Sequence, residues 1–305
     1  MIGTRIDWKE LRFGVEIEFI GGGDPRQIEL LPGWVMALDE LQIDESGEVS
    51  GSELKPPPIQ WEDREQTREM LARLRAAGAA ANWSCGLHVH VGLEPWGIEA
   101  IPAWIEAALS YQDALRALLE TSEDRLIYCP PVTPEMRERY RANPAGESLC
   151  CPGRPQSHRC GINLAAWFDI GTIEIRYANG SLDDIEVLNT IELVLRFVAA
   201  VGEGRELPRE AEALARALGA PASGYPPPQP APRWYRERMW LENALIPVLQ
   251  PLAERLIPGG EILHIFPEPS GIKVMVEDPA DGVPHSVLIR PPVEGWEIVR
   301  QTAVE

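Results

Sequence analysis

Three short stretches repeat one design: Phe13-Gly-Val-Glu16-Ile-Glu18-Phe19, Gly86-Leu-His88-Val-His90-Val91 and Gly171-Thr-Ile-Glu174-Ile-Arg176-Tyr177. Successive side chains on a β-strand point to opposite faces. Phe13, Val15, Ile17 and Phe19 therefore line one face of the first stretch, and Glu16 and Glu18 share the other. Two carboxylates on one side repel and raise each other's pKa unless a cation lies between them. In the other two stretches Leu87, Val89 and Val91 oppose His88 and His90, while Ile173 and Ile175 oppose Glu174 and Arg176. A single sheet, apolar beneath and ionisable above, accounts for all three.

The chain has 305 residues, enough for a substantial core and for one large domain with an appendage. Its net charge of −19 argues against a nucleic-acid partner, because phosphate-backbone binding relies on Lys and Arg. An anionic substrate would need local basic residues or divalent ions, which fits carboxylates clustered on a strand face. Met1 to Trp8 has no apolar leader, and no uncharged apolar run approaches membrane-spanning length, so the expectation is a cytoplasmic protein with no membrane partner. Five cysteines, an odd number in a chain of this length, favour thiols over a disulfide framework.

After the first strand, the glycines at 21–23 and Pro25 break the structure. Short strands over 34–39, 41–44 and 49–54 follow, ended by the prolines at 56–58. Apolar spacing predicts helices over 61–77, 98–120 and 134–141. Residues 121–160, rich in Pro, Gly and Cys, read as an insertion or lid over the site. Residues 162–168 and 172–177 read as a strand pair, and Ser181 as the N-cap of a long helix with Asp183 and Asp184 in its first turn. The composition changes past Gly202, giving a main domain over 1–204 and an extension over 205–305. The extension should hold helices over 208–218 and 234–256 and a three-stranded meander over 261–266, 271–277 and 285–289.

A lone Glu-x-Glu is usually a solvated strand face, but two further strands of the same design make Glu16 and Glu18 part of a shared ion site. Carboxylate partners suit magnesium or manganese better than zinc, so at most one of the two histidines is expected as a ligand. His90 is taken over His88, which is left to hydrogen-bond a substrate. Glu174 fits a metal ligand, and Arg176, with its fork of donors, a clamp on phosphoryl oxygens. Glu53, after a Gly-Ser bend, has the position of another ligand. Cys129, Cys150, Cys151 and Cys160 with His158 lack any Cys-x-x-Cys pair, which argues against a zinc knuckle. P-loop, Rossmann and nucleophile-elbow motifs are absent.

Taken together, the Glu16-x-Glu18 strand, Gly51-Ser-Glu53-Leu54, Cys85-Gly-Leu-His88-Val-His90-Val-Gly92, Arg159 with Asn163, and Gly171-Thr-Ile-Glu174-Ile-Arg176 followed by the Asp183 helix resemble the amidoligase family over roughly residues 11–202. That family belongs with glutamine synthetase and glutamate–cysteine ligase among the carboxylate–amine ligases. The resemblance implies an α+β fold, a glutamine-synthetase-like antiparallel sheet with helices packed on one face. ATP and Mg2+ or Mn2+ would be held on the other. It implies Glu16, Glu18, Glu53, His90 and Glu174 as metal ligands, Arg176, His88 and Asn163 at the nucleotide, and Glu174, Arg176 and Arg159 in catalysis. The expected reaction joins the carboxylate of an amino acid, peptide or protein to an amine through an acyl phosphate. A guanidino-kinase-like phosphotransferase and a non-catalytic nucleotide- or peptide-binding relative are the alternatives.

Overall fold

In a computed structural model, residues 3–38, 42–151, 159–290 and 297–303 are described; part of the short strands expected over 34–44, and His158, lie outside them. The chain runs β1 (Phe13–Gly21), β2 (Val35–Ala37), β3 (Gln42–Ile43), β4 (Val49–Ser50), β5 (Ser52–Lys55), α1 (Glu65–Ala76), β6 (Ala79–Ala80), β7 (Gly86–Gly92), α2 (Ile101–Leu118), α3 (Pro134–Ala142), β8 (Ile162–Asn163), α4 (Ala166–Ile170), β9 (Thr172–Asn179), α5 (Asp184–Gly202), α6 (Ala211–Leu218), α7 (Arg233–Leu256), β10 (Glu261–Glu268), β11 (Gly271–Glu277), β12 (Pro284–Arg290) and β13 (Glu297–Ala303). This is an α+β protein with antiparallel sheets. Among the described residues, no helix is long and apolar enough to cross a membrane.

The main sheet has the order β2-β5-β1-β7-β9-β8, with β6 pairing to β1. Burial along β1 alternates as its sequence requires, with Phe13, Val15, Ile17 and Phe19 all buried. These side chains join Leu87, Val89, Val91, Ile173 and Ile175 in one core with Leu71 and Leu74 of α1, Ile105 and Leu115 of α2, and Ile191 and Leu195 of α5. Helices thus cover the apolar face, and the ionisable side chains are left on the other.

Three local features differ from the sequence reading. The strand expected over 162–168 stops at Asn163, and Ala166–Ile170 turns into α4. Asn163 Oδ1 accepts from Ala165 N at 3.1 Å, which bends the chain out of the strand, and Gly171 at φ 74° closes the helix in a left-handed cap. Ser181 is not the N-cap of α5. Asp183 is, accepting from the amides of Ile185 and Glu186, while Ser181 Oγ accepts from Asp183 N one step earlier. The described part of the stretch read as an insertion or lid, residues 121–151, packs inward: Cys129, Val132, Met136, Tyr140 and Leu149 are core residues.

The chain divides into two compact units, Met1–Cys151 with Arg159–Pro230, and a second built on Ala231–Glu305. The break falls later than the composition change at 202–204, because Leu214, Ala215 and Leu218 of α6 belong to the first unit's core. In the second unit α7 packs on the sheet β10-β11-β12-β13, with Leu249, Ile265, Val274 and Val287 buried between them. Its meander has a fourth strand, β13, beyond the three expected.

Candidate functional site

Strand register assembles the ionisable face. Directly opposed residues of an antiparallel pair project to the same side. Glu16 is opposite His88, Glu18 opposite Glu53, His90 opposite Glu174, and Glu174 opposite Asn163. The β7–β9 pairing shifts between Leu87 and Val89, so two residues of β9, Arg176 and Tyr177, face His88 alone. A bulge of this kind re-aims side chains beside a site. Here Arg176 Nη1 reaches Glu174 Oε1 at 2.5 Å and His88 Nδ1 at 3.3 Å.

His88 Nδ1 is also 3.0 Å from Glu16 Oε2 and 3.7 Å from Glu174 Oε1, and its Nε2 is 3.8 Å from Glu18 Oε1. Protonated at Nδ1 the ring donates to Glu16; unprotonated there, it accepts from Arg176 or presents a lone pair to a cation. His90 Nδ1 lies 3.0 Å from Thr172 Oγ1, and its buried Nε2 faces Glu16 and Glu174 oxygens at 3.4 and 3.5 Å without a hydrogen bond to either. Asn163 Nδ2 donates to Glu174 Oε2 at 2.7 Å. Lys55 Nζ lies 3.0 Å from Glu16 Oε1 and is ion-paired to Glu53. The amide of Gly86 donates to Glu18 Oε2.

Electrostatics follow this packing. Burial works against ionisation of Glu16, but the contact with His88 and the charge of His88 and His90 more than offset it and hold the acid far below the usual carboxylate range. Glu174, fully buried, is likewise held low against its burial by Arg176 and His90. Burial and then the charge of Glu16 push Glu53 up to about 8, with Lys55 opposing. His90 is raised to about 9, the facing carboxylates outweighing its burial. The face therefore holds acids of sharply different proton affinity within a few ångströms, an arrangement suited to exchanging protons for a cation.

One ligand atom each from Glu16, His88 and Glu174 fall within 4.8 Å of one another, and among the described residues this is the group of three that can hold a metal ion. Of the two histidines, His88 falls in that group rather than His90, though His90 borders the same two acids. Two carboxylates and one imidazole suit a hard divalent cation such as Mg2+ or Mn2+. Glu18, Glu53, Asn163 and Arg176 all lie on this face, while Arg159 sits exposed on a bend before Cys160.

Lys55, Thr172 and Arg125 were not singled out by the sequence reading. Lys55 had a readable signal, since it stands two residues beyond Glu53 on one strand and so shares its face. Arg125 had none. It is buried behind Gly86, its Nη1 donates to Cys85 O, and its Nε has no partner among the described residues. A cavity of about 280 Å³ opens beside the cluster, lined by Arg12, Lys55 and Glu94 together with Glu16, His90 and Thr172.

Fold and site together define an α+β protein with a carboxylate–histidine cluster that could hold a cation on the open face of an antiparallel sheet. Residues 27–198, more than half of the chain, match the family described as "Putative amidoligase enzyme", and the chain belongs to that family. The match begins after β1, so Glu16 and Glu18 enter the site through strand register alone. No curated protein matches the chain.

Proposed function

We propose that this protein is an ATP-dependent ligase, built on a glutamine-synthetase-like sheet, that joins a carboxylate to an amine. Arg176 carries the reading. Its guanidinium is fixed by Glu174 in the centre of the acidic face, yet its buried Nε–H has no acceptor among the described residues. A buried donor without a partner is costly, and a phosphoryl oxygen is the acceptor that a guanidinium fork accommodates best. Glu16, His88 and Glu174 would hold a divalent ion, with Glu18, Glu53 and His90 at its margin. When bound, the ion would supply positive charge against a triphosphate and align its terminal phosphoryl group.

The chain's own groups would then do three things. Asn163 and Arg176 fix both oxygens of Glu174, so that this carboxylate keeps one orientation while charge moves nearby. Arg176 donates to the group in transfer, a preorganised contact that strengthens as charge develops. Lys55, held between Glu16 and Glu53, offers a second cation at the mouth of the cavity, where a substrate carboxylate can meet it. The substrate carboxylate would take the terminal phosphoryl group as its bond to ADP breaks and ADP leaves; an amine would then attack the acyl carbon, phosphate would leave, and the amine's proton would pass to solvent.

The decisive experiment follows ADP and phosphate release with ATP, Mg2+ and a panel of amino acids and peptides. Glu174→Gln is expected to lower turnover by about 100-fold or more, as for loss of a preorganised charge in an active site. Undiminished turnover in that variant would overturn the assignment. A stable phosphorylated product with no amine requirement would mark a phosphotransferase instead.

A further inference from the structure

Two of the five cysteines meet. Cys151 Sγ and Cys160 Sγ are 3.0 Å apart, roughly 1 Å more than the bond length of a disulfide, and no disulfide joins them. Their surroundings are unequal. Cys151 is half-buried and within the field of Arg139, whose Nη2 is anchored on Cys150 O at 2.6 Å. Cys160 is fully buried. The other three thiols point elsewhere: Cys150 Sγ toward Gly146 O at 3.7 Å, Cys129 Sγ toward Arg125 O at 3.2 Å, and Cys85 Sγ toward Asn82 Oδ1 at 3.6 Å.

We propose that Cys151 and Cys160 form a reversible dithiol–disulfide couple, with Cys151 as the attacking thiol and Cys160 as the resolving one. The oxidant class is a small aliphatic disulfide such as glutathione disulfide. The Cys151 thiolate attacks one sulfur of that disulfide; the S–S bond breaks, and one glutathione leaves as thiolate. Cys160, losing its proton to solvent, attacks the Cys151 sulfur of the mixed disulfide and expels the second glutathione. Two thiols are oxidised, one disulfide is reduced, and the two electrons and two protons end on glutathione. The contact between the two thiols lowers the pKa of Cys151 and raises that of the more deeply buried Cys160, which fits Cys151 as the attacking thiol.

The couple sits at the root of β8. Next to Cys160, Gly161 donates from its amide to Pro130 O and accepts from Arg176 N, each at 2.8 Å. Two residues further on, Asn163 holds Glu174. Oxidation would thus tether the segment that carries Asn163. The inference stands on the two sulfurs and does not depend on the ligase reading.

The test uses the full chain, reduced and then equilibrated anaerobically with glutathione buffers at neutral pH. Alkylation, proteolysis and mass spectrometry should find Cys151 joined to Cys160, and excess reduced glutathione should restore both thiols. Cys160→Ser should stop at a glutathione adduct on Cys151, whereas Cys151→Ser should leave Cys160 unmodified in the folded protein. If Cys160→Ser fails to fold, the linkage map of the unsubstituted chain decides. A folded chain that stays reduced in excess glutathione disulfide, or a bond that uses Cys150 or Cys129, overturns the proposal.

Discussion

Lys55 shows what a single side chain contributes to this site. Its ammonium lies between Glu16 and Glu53, and burial and then the charge of Glu16 raise Glu53 to about 8 even with the lysine present. In Lys55→Met the acids lose that counter-charge. The metal-free protein should lose about 1–2 kcal/mol, between the value of a surface pair and that of a buried one, since the lysine is about a third exposed. The loss should be greatest above pH 8, where Glu53 can no longer escape by taking a proton. Mn2+ should recover more stability in this variant than in the unsubstituted chain, because the ion replaces the missing charge. Thermal melts with and without Mn2+ measure both effects, and equal melting shifts in the two proteins would refute this role for Lys55.

At the scale of elements, what was legible in the sequence was what is local. The period-two alternation of β1, β7 and β9 placed Glu16, Glu18, His88, His90, Glu174 and Arg176 on one side before any pairing was known. Pairing itself is not local. The register that sets Glu16 opposite His88, and the extra residue of β9 that turns Arg176 onto His88, depend on which strands become neighbours. Hence Glu174, His88 and Glu16 could be named from the sequence, but the grouping of His88 rather than His90 with the acids could not. The α4 turn escaped for a related reason: Ile162–Phe168 is apolar enough for a strand, and the Asn163 side chain that redirects it acts through one hydrogen bond. Gly86 tests how tightly β7 is seated. A methyl group there would meet the Arg125 guanidinium and approach His88 Nε2 to 2.7 Å, both of them buried side chains. Gly86→Ala should therefore displace His88 and weaken Mn2+ binding about tenfold or more, as expected when a metal site's supporting shell is disturbed. Calorimetric titration reads this directly; unchanged affinity would mean that β7 has slack the packing does not suggest.

For the whole molecule, protons and cations compete for one acidic face on a chain of net charge −19. Glu53 and His90 carry folded-state values of about 8 and 9, above the 4.5 and 6.5 of the unfolded chain. Between pH 4.5 and 9 the metal-free native state thus binds more protons than the unfolded state, through Glu53 up to about 8 and through His90 from 6.5 to 9, and its stability falls as pH rises through that window. Glu16 and Glu174 act in the opposite sense. Their lowered values give stability that is present above 4.5 and lost as the solution turns acid. From these four groups the metal-free protein should accordingly be most stable in mild acid, just above pH 4.5, where Glu53 and His90 are protonated and Glu16 and Glu174 ionised. A divalent ion displaces the protons held by the face, so its binding should release protons and tighten from pH 6.5 to 9. The melting temperature without metal is expected to fall across that window while the shift produced by saturating Mg2+ or Mn2+ grows, since a ligand that binds only the native state stabilises it in proportion to the logarithm of its saturation. Titration calorimetry in buffers of different ionisation enthalpy counts the protons released. A release of zero at pH 7.5–8, or a metal-induced shift that shrinks with rising pH, would show that the ion binds away from Glu53 and His90, and that the acidic face owes its form to some other ligand.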